Sequence, residues 1–234
     1  RGIGKNGFLR QVADAQDHGA LFLECRVGTA VEVIAEFGRQ LGLDLDKAGV
    51  SSEKSIIRAD ARCRTNVPHV FAIGDVIGGL MLAHTAAQQG RVAAATILGE
   101  DMKYDQDKDC GVIFSRPQAA FAGLSVAQAK ERNIAAAEVK VPMSIDAKAM
   151  INHETHGMIK IVADKASQRI IGVHLLADHA DLLIGEATLM VSAGLTLEQV
   201  GEAIHAHPTQ TELFGDLARG IQEYLLVGLS GPSP

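Results

Sequence analysis

Apolar positions along the chain follow two rhythms, and the change between them marks its organisation. In the first half the rhythm is strand then helix. Pro68 to Asp75 is an apolar run closed by Gly-Asp, which predicts a buried strand. Ala86 to Leu98 repeats at helical spacing and stops at Gly99. Ser55 to Arg58 reads as a short strand before it. Upstream the pattern is weaker: Phe8 to Ala15 and Val31 to Leu41 predict helices, and Ala20 to Cys25 a strand. A polar, charged stretch from Gly99 to Asp109 then interrupts the pattern and predicts a domain boundary near residue 107. Beyond it strands come before helices, the order of an α+β domain. Val112 to Ser115, Ala119 to Ala122, Ala137 to Ile145, Gly157 to Ala163 and Ile170 to Ala177 predict strands, and Ser125 caps a helix through Arg132. A long helix then carries Ala180, Leu183, Ile184, Ala187, Met190 and Val191 on one face and ends at Gly194. Thr196 caps a short helix through Ala203.

Composition narrows the classes. Of 234 residues, 47% are hydrophobic and 21% charged, the balance of a soluble globular chain of one or two domains. A net charge of −6 with no basic block argues against a nucleic-acid surface. Aromatics at 4% and the absence of Trp leave no base-stacking platform. No apolar run reaches about 18 residues, so no membrane span is expected. Cys25, Cys63 and Cys110 are too scattered for a disulfide framework or a metal spacing, which places the chain in the cytoplasm or an equivalent reducing compartment. His153 and His156 form an H-x-x-H pair beside Glu154, but zinc takes three or four ligands and no further one is evident, so no metal is expected. His174 and His179 flank a predicted strand end without an obvious partner. Cys63 lies in Ala-Arg-Cys-Arg, where nearby arginines would lower a thiol's pKa, although a lone Cys is more commonly structural.

The chemistry concentrates in Ile204-His205-Ala206-His207-Pro208-Thr209-Gln210-Thr211-Glu212. A histidine exchanges a proton near neutral pH. Pro208 pushes His207 towards extended backbone, and an X-Pro bond is a candidate for cis. Thr209 or Thr211 caps a helix running through Leu213, Phe214, Leu217 and Ala218. Glu212 falls in its first turn, within reach of a ring nitrogen of His207: a base with an orienter, as general acid–base catalysis requires. A second candidate is Asp75, a carboxylate just past a strand's C-terminal end, where open α/β sheets bind ligands. After Gly78-Gly79, the helix-opening segment Met81-Leu82-Ala83-His84 would offer amides to electron-rich atoms of a flat ligand.

Three stretches in register resemble the flavin-dependent pyridine nucleotide–disulfide oxidoreductases, and within them the dihydrolipoamide dehydrogenases. Thr65 to Asp75 is similar to the family's second flavin-contacting strand, Met81 to His84 to the turn along the isoalloxazine, and His205 to Glu212 to its base motif. Val112 to Leu124 looks like the opening of the family's interface domain. The resemblance covers residues 42–222 and implies an α/β remnant of an FAD-binding domain followed by an α+β dimerisation domain, an antiparallel sheet with helices. Residues 42–106 would be the C-terminal part of the FAD-binding domain, 107–227 the dimerisation domain, 228–234 a disordered tail, and 1–41 remain unassigned. By the same resemblance Asp75 would bind the FAD ribityl chain, Met81, Leu82, Ala83 and His84 would line the flavin, His207 would deprotonate a dithiol, and Glu212 would hold its ring. The family's base serves the disulfide of the partner subunit, which implies a homodimer. The partner it suggests is a lipoyl-bearing protein of a 2-oxo acid dehydrogenase complex, and its cofactors are FAD and NAD.

The departures set a limit. The sequence holds neither the family's glycine-rich FAD and NAD fingerprints nor its C-x4-C redox pair, and Val27 to Gln40 does not match the segment expected before residue 42. It therefore reads as a C-terminal portion of a dihydrolipoamide dehydrogenase-like flavoprotein, inactive alone. The other readings are a mercuric or glutathione reductase relative, or an inactive dimerisation module.

Overall fold

The computed structural model describes residues 21–25 and 227 as backbone, and residues 45–54 and 56–226 in full. The helices predicted at 8–15 and 31–41 and the tail predicted at 228–234 lie outside the described residues. The chain divides into two compact units, Arg1–Asp105 and Gln106–Pro234.

In the first unit, β1 (Leu21–Cys25) runs parallel to β4 (Val70–Gly74), with Leu21 opposite Val70. The short β2 (Ser52–Glu53) and β3 (Ile56–Ile57) pair antiparallel. All five residues of β4 are buried, which explains the unbroken apolar run. Successive strand side chains point to opposite faces. Val70 and Ala72 accordingly join Val50, Ile57 and Val76 in one cluster, while Phe71 and Ile73 join Cys63, Val92 and Ala93 in another. Val92 and Ala93 belong to α1 (Ala83–Ile97), which begins three residues before the sequence pattern suggests. Gln89 of α1 is buried, and its Oε1 accepts the Gly74 amide at 2.7 Å. That bond ties the helix to the strand end from which Asp75 emerges.

The second unit is an antiparallel sheet in the order β5-β6-β9-β8-β7, formed by β5 (Cys110–Ile113), β6 (Gln118–Gly123), β7 (Ala136–Pro142), β8 (Met158–Asp164) and β9 (Ile170–Ala177). One face carries Ala137, Ile159, Ile161, Ala163, Val173 and Leu175 into the main core. Two longer helices close that face: α4 (Ala180–Ala193) packs on β6 and β9, and α6 (Glu212–Val227) on β7 and β8. The α4 stripe is the one its 3.6-residue spacing predicts, with Ala180, Leu183, Ile184, Ala187, Met190 and Val191 all buried. On α6, Leu213, Phe214, Leu217, Ala218 and Ile221 are buried at similar spacing. Each fully buried Leu, Ile or Phe contributes about 1.5–3 kcal/mol, so the start of α6 is seated by its own first turn.

The shorter helices are α2 (Val126–Glu131), α3 (Ala147–Asn152) and α5 (Leu197–Glu202). Ser125 with Gln128 and Thr196 with Gln199 form reciprocal capping boxes on α2 and α5. Helix α3 was not expected; the sequence pattern runs a strand up to Ile145, whereas β7 ends at Pro142. The side chain of Asp146 caps α3 by accepting the Ala149 amide at 2.7 Å. Helices α5 and α6 pack on each other, and residues 203–211 join them.

Candidate active site

Position 207 is set by what comes on either side of it. The His207–Pro208 peptide is cis. Five residues on, Glu212 opens α6 directly before the buried Leu213 and Phe214, so its backbone is anchored in the core. The His207 Nδ1 lies 3.0 and 3.2 Å from the two Glu212 carboxylate oxygens. The Thr209 amide donates to Glu212 Oε2 at 2.9 Å, and the Thr209 hydroxyl donates to the Ala206 carbonyl at 2.6 Å. The Glu212 carboxyl is held below its ordinary range, first by the Thr209 amide and then by the hydrogen bond from His207. An ionised carboxylate only accepts, so Nδ1 of a neutral His207 must carry the hydrogen. The lone pair is thereby left on Nε2. With 72% of its side chain exposed, that ring can meet a molecule arriving from solvent. This is the arrangement of a general base with its tautomer fixed by a second group.

A second imidazole–carboxylate pair lies two residues away, and sequence reasoning missed it. His205 Nε2 is 2.9 Å from Glu186 Oε1 on α4, and only 11% of the His205 side chain is exposed. Nineteen residues separate the two in the sequence, so only the packing of α4 brings them together.

The first unit holds the other group of candidate residues. Asp75 is half-buried just past the end of β4, in a short 3-10 turn. Gly78 and Gly79 follow with φ of 74° and 81°, a region only glycine enters freely. Leu80 and Met81 come next, 45% and 46% exposed, and α1 opens at Ala83 without a side-chain cap on its first turn. A carboxylate followed by exposed apolar side chains and the positive end of a helix dipole fits one edge of a flat aromatic group bearing a polar chain. The structure thus brings together His207 with Glu212. It sets Asp75, Met81, Leu82, Ala83 and His84 around one strand end and one helix start.

Other expectations are corrected. The Cys63 thiol is not activated by its arginine neighbours: it is 1% exposed, and burial, then Asp60, push it up to about 12. His174 lies inside β9 rather than at its end. Burial, then Lys160, press it down to about 4, and its Nδ1 has no hydrogen-bond partner. His179 does have a partner, Glu154, at 3.5 Å. Among the described residues no group of three or more His, Cys, Asp or Glu is placed to hold a metal ion, and no helix is long and apolar enough to cross a membrane.

Comparison with known proteins gives the family. Residues 110–218 match the family "Pyridine nucleotide-disulphide oxidoreductase, dimerisation domain", and residues 11–90 match "Pyridine nucleotide-disulphide oxidoreductase". A dihydrolipoyl dehydrogenase of Chlamydia trachomatis is 37% identical over 214 residues, 90% of this chain and 46% of that protein. The enzyme of Bacillus subtilis is 36% identical over 77% of this chain and 39% of its own length. Among solved structures, LpdA from Mycobacterium tuberculosis superposes with a TM-score of 0.71 at 26% identity, over 77% of this chain and 40% of that one. A flavoprotein disulfide reductase, RclA of Escherichia coli, gives 0.63 at 26% identity over 76% of this chain and 41% of its own. The class these define is that of flavoprotein oxidoreductases built with an antiparallel interface domain. This chain belongs to the pyridine nucleotide-disulphide oxidoreductase family. It spans about half the length of the curated relatives it matches.

Proposed function

We propose that this chain supplies the base and the dimer interface of an FAD-dependent dithiol–disulfide oxidoreductase that oxidises a dihydrolipoyl group to a lipoyl group and reduces NAD to NADH. The observation that carries the reading is the His207–Glu212 pair, with Nδ1 held at 3.0 Å and Nε2 open to solvent. In this reading Nε2 of His207 accepts the proton of an approaching thiol. Glu212 keeps the ring in the tautomer that can do so, and steadies the imidazolium that results. The thiolate so made attacks a redox disulfide, which the proposal assigns to the partner subunit. That attack breaks the redox S–S bond and gives a mixed disulfide plus a thiolate. The substrate's second thiol then loses its proton and displaces the remaining redox sulfur. The product's S–S bond thereby closes, and the redox pair, now a dithiol, holds the two electrons.

FAD, when bound, would accept that electron pair and pass it to NAD. The residues present fit the flavin: Asp75 would hold its polar chain, and Met81, Leu82, Ala83 and His84 would line its ring. No segment of the described residues fits NAD, and no residue here is assigned to it. A homodimer suits the second unit, whose surface leaves Leu182, Leu189, Ile113 and Phe114 largely exposed; apolar exposure on this scale marks an interaction surface. The lipoyl group would be borne by a protein of a 2-oxo acid dehydrogenase complex. The free thiols Cys63 and Cys110 suit the reducing cytoplasm.

Two experiments test this. In the full-length flavoenzyme, His207→Gln should lower dithiol oxidation by about 10²–10⁴-fold, the range a general base supplies; a loss under about tenfold would remove His207 from that role. Sedimentation of the chain at micromolar concentration should give a dimer, and a clean monomer would contradict the interface.

A further inference from the structure

The connection between α5 and α6 presents a problem of stability. Of its nine residues, Ala203, Ile204, Ala206, His207 and Pro208 are exposed, and Ile204 is wholly so. Burial cannot hold such a segment, yet a base works only if its ring is kept in one place. Errors near 1 Å in a catalytic group cost as much as about a hundredfold in rate.

Two side chains in the connection break the pattern. Gln210 is buried at its C-terminal side. His205 is the anchor on the other side, and its ring is fixed from two directions. Its Nε2–H donates to Glu186 on α4 at 2.9 Å. Its other edge lies against Gly215 of α6, where an added Cβ would stand 3.2 Å from Nδ1 and 3.4 Å from Cε1. A Cβ there would also stand 3.3 Å from Arg219 Nη1, so the imidazole or the guanidinium would have to give by a few tenths of an ångström. Arg219 reinforces the frame by donating to the Gly201 carbonyl at 2.5 Å, joining α6 to the end of α5. The His205 anchor and the buried Gln210, whose Nε2 has no hydrogen-bond partner, thus bracket His207.

We propose that Glu186 and His205 form a positioning pair, which ties the α5–α6 connection to α4 and so holds His207 in register with Glu212. The inference rests on the reading of His207 as the base. Neither residue need touch substrate. Glu186 acts through His205, and His205 acts through the backbone it pins.

Glu186 is a partly exposed helix residue, and Ala is the best helix former, so Glu186→Ala should fold. Two readouts decide the matter. In the full-length flavoenzyme, Glu186→Ala should lower dithiol oxidation by roughly tenfold or more, with NADH-driven flavin reduction unchanged. Glu186→Gln keeps an oxygen to accept the same Nε2–H and should recover activity to within about threefold. In the 234-residue chain, long-range ¹⁵N–¹H NMR should find neutral His207 as the Nδ1–H form. Glu186→Ala should convert it to a mixture of both tautomers, and Glu186→Gln should not. Unchanged tautomer and unchanged rate in Glu186→Ala would overturn the proposal, as would equal losses in the Ala and Gln variants. If instead His207→Gln were fully active, the base assignment would fall, while the NMR arm would still decide whether Glu186 positions the ring.

Discussion

His205 and His207 make a comparison within one turn of chain. Each ring has a nitrogen close to a carboxylate, at 2.9 Å from Glu186 and 3.0 Å from Glu212. The bonds are nearly alike and the surroundings are not. One side chain is 11% exposed and wedged between two helices; the other is 72% exposed at the tip of the connection. A carboxylate beside an imidazole fixes its tautomer in either place. What differs is where the remaining nitrogen points. In His205 it meets Gly215, so the pair can only hold structure. In His207 it faces solvent, which under the proposed function leaves the pair open to an incoming thiol. Exposure, rather than the hydrogen bond, separates the proposed anchor from the proposed base.

The comparison can be broken from either side. After His207 itself, the largest effect is expected at Glu212. In the full-length flavoenzyme, Glu212→Ala leaves His207 free to place its hydrogen on either nitrogen and should cost about 10–100-fold in dithiol oxidation, as loss of an orienting partner does. Steady-state rates at pH 8 would measure it, and a wild-type rate would show that the carboxylate is dispensable.

A smaller effect is expected at Gly215. In a helix interior, glycine to alanine ordinarily gains about 0.5–1 kcal/mol. Here the new methyl would press on the His205 ring at 3.2 Å, and overpacking of this kind costs about 1–3 kcal/mol. Gly215→Ala should therefore leave the chain less stable by about 1 kcal/mol in urea unfolding. A stabilised variant would show that the ring moves aside at no cost.

A third imidazole supplies the last contrast. Nδ1 of His174 has no hydrogen-bond partner, and burial, then Lys160, press its pKa from the ordinary 6.5 down to about 4 against the opposing charge of Glu138. Between those values the unfolded chain binds a proton that the folded chain refuses. This contribution to stability is therefore fully present above pH 6.5 and is lost as pH falls towards 4. Urea midpoints at pH 7 and pH 4.5 should differ less in His174→Gln than in the parent chain. An equal difference in both would mean that His174 is not the group responsible.

Much of the second unit was legible because its signals are local. The α4 stripe repeats every three to four residues, and Thr196 with Gln199 announces α5 by a three-residue spacing. The His207–Glu212 pair was legible for the same reason: five residues and a helix start separate its members. Helix α3 was not, since six residues are too few to show a period, and Asp146 was its one signal. Nor was Cys63 read correctly. Arg62 and Arg64 are its neighbours in sequence, but the residue turns inward under Phe71 and Ile73, and burial overrides them. Glu186 and His205 mark the limit of a one-dimensional reading. Glu186 lies off the apolar stripe of α4, where a solvated charge is the ordinary expectation, and only the third dimension supplies its partner.

The central claim is that Nε2 of His207 removes the thiol proton, and a stopped-flow measurement reaches it most directly. In the full-length flavoenzyme the two half-reactions can be followed separately through the flavin absorbance. In His207→Gln, reduction of the flavin by dihydrolipoamide should slow by about 10²–10⁴-fold, while reduction by NADH, which needs no thiol base, should keep its parent rate. Equal slowing of both half-reactions, or no slowing with the dithiol, would contradict the account.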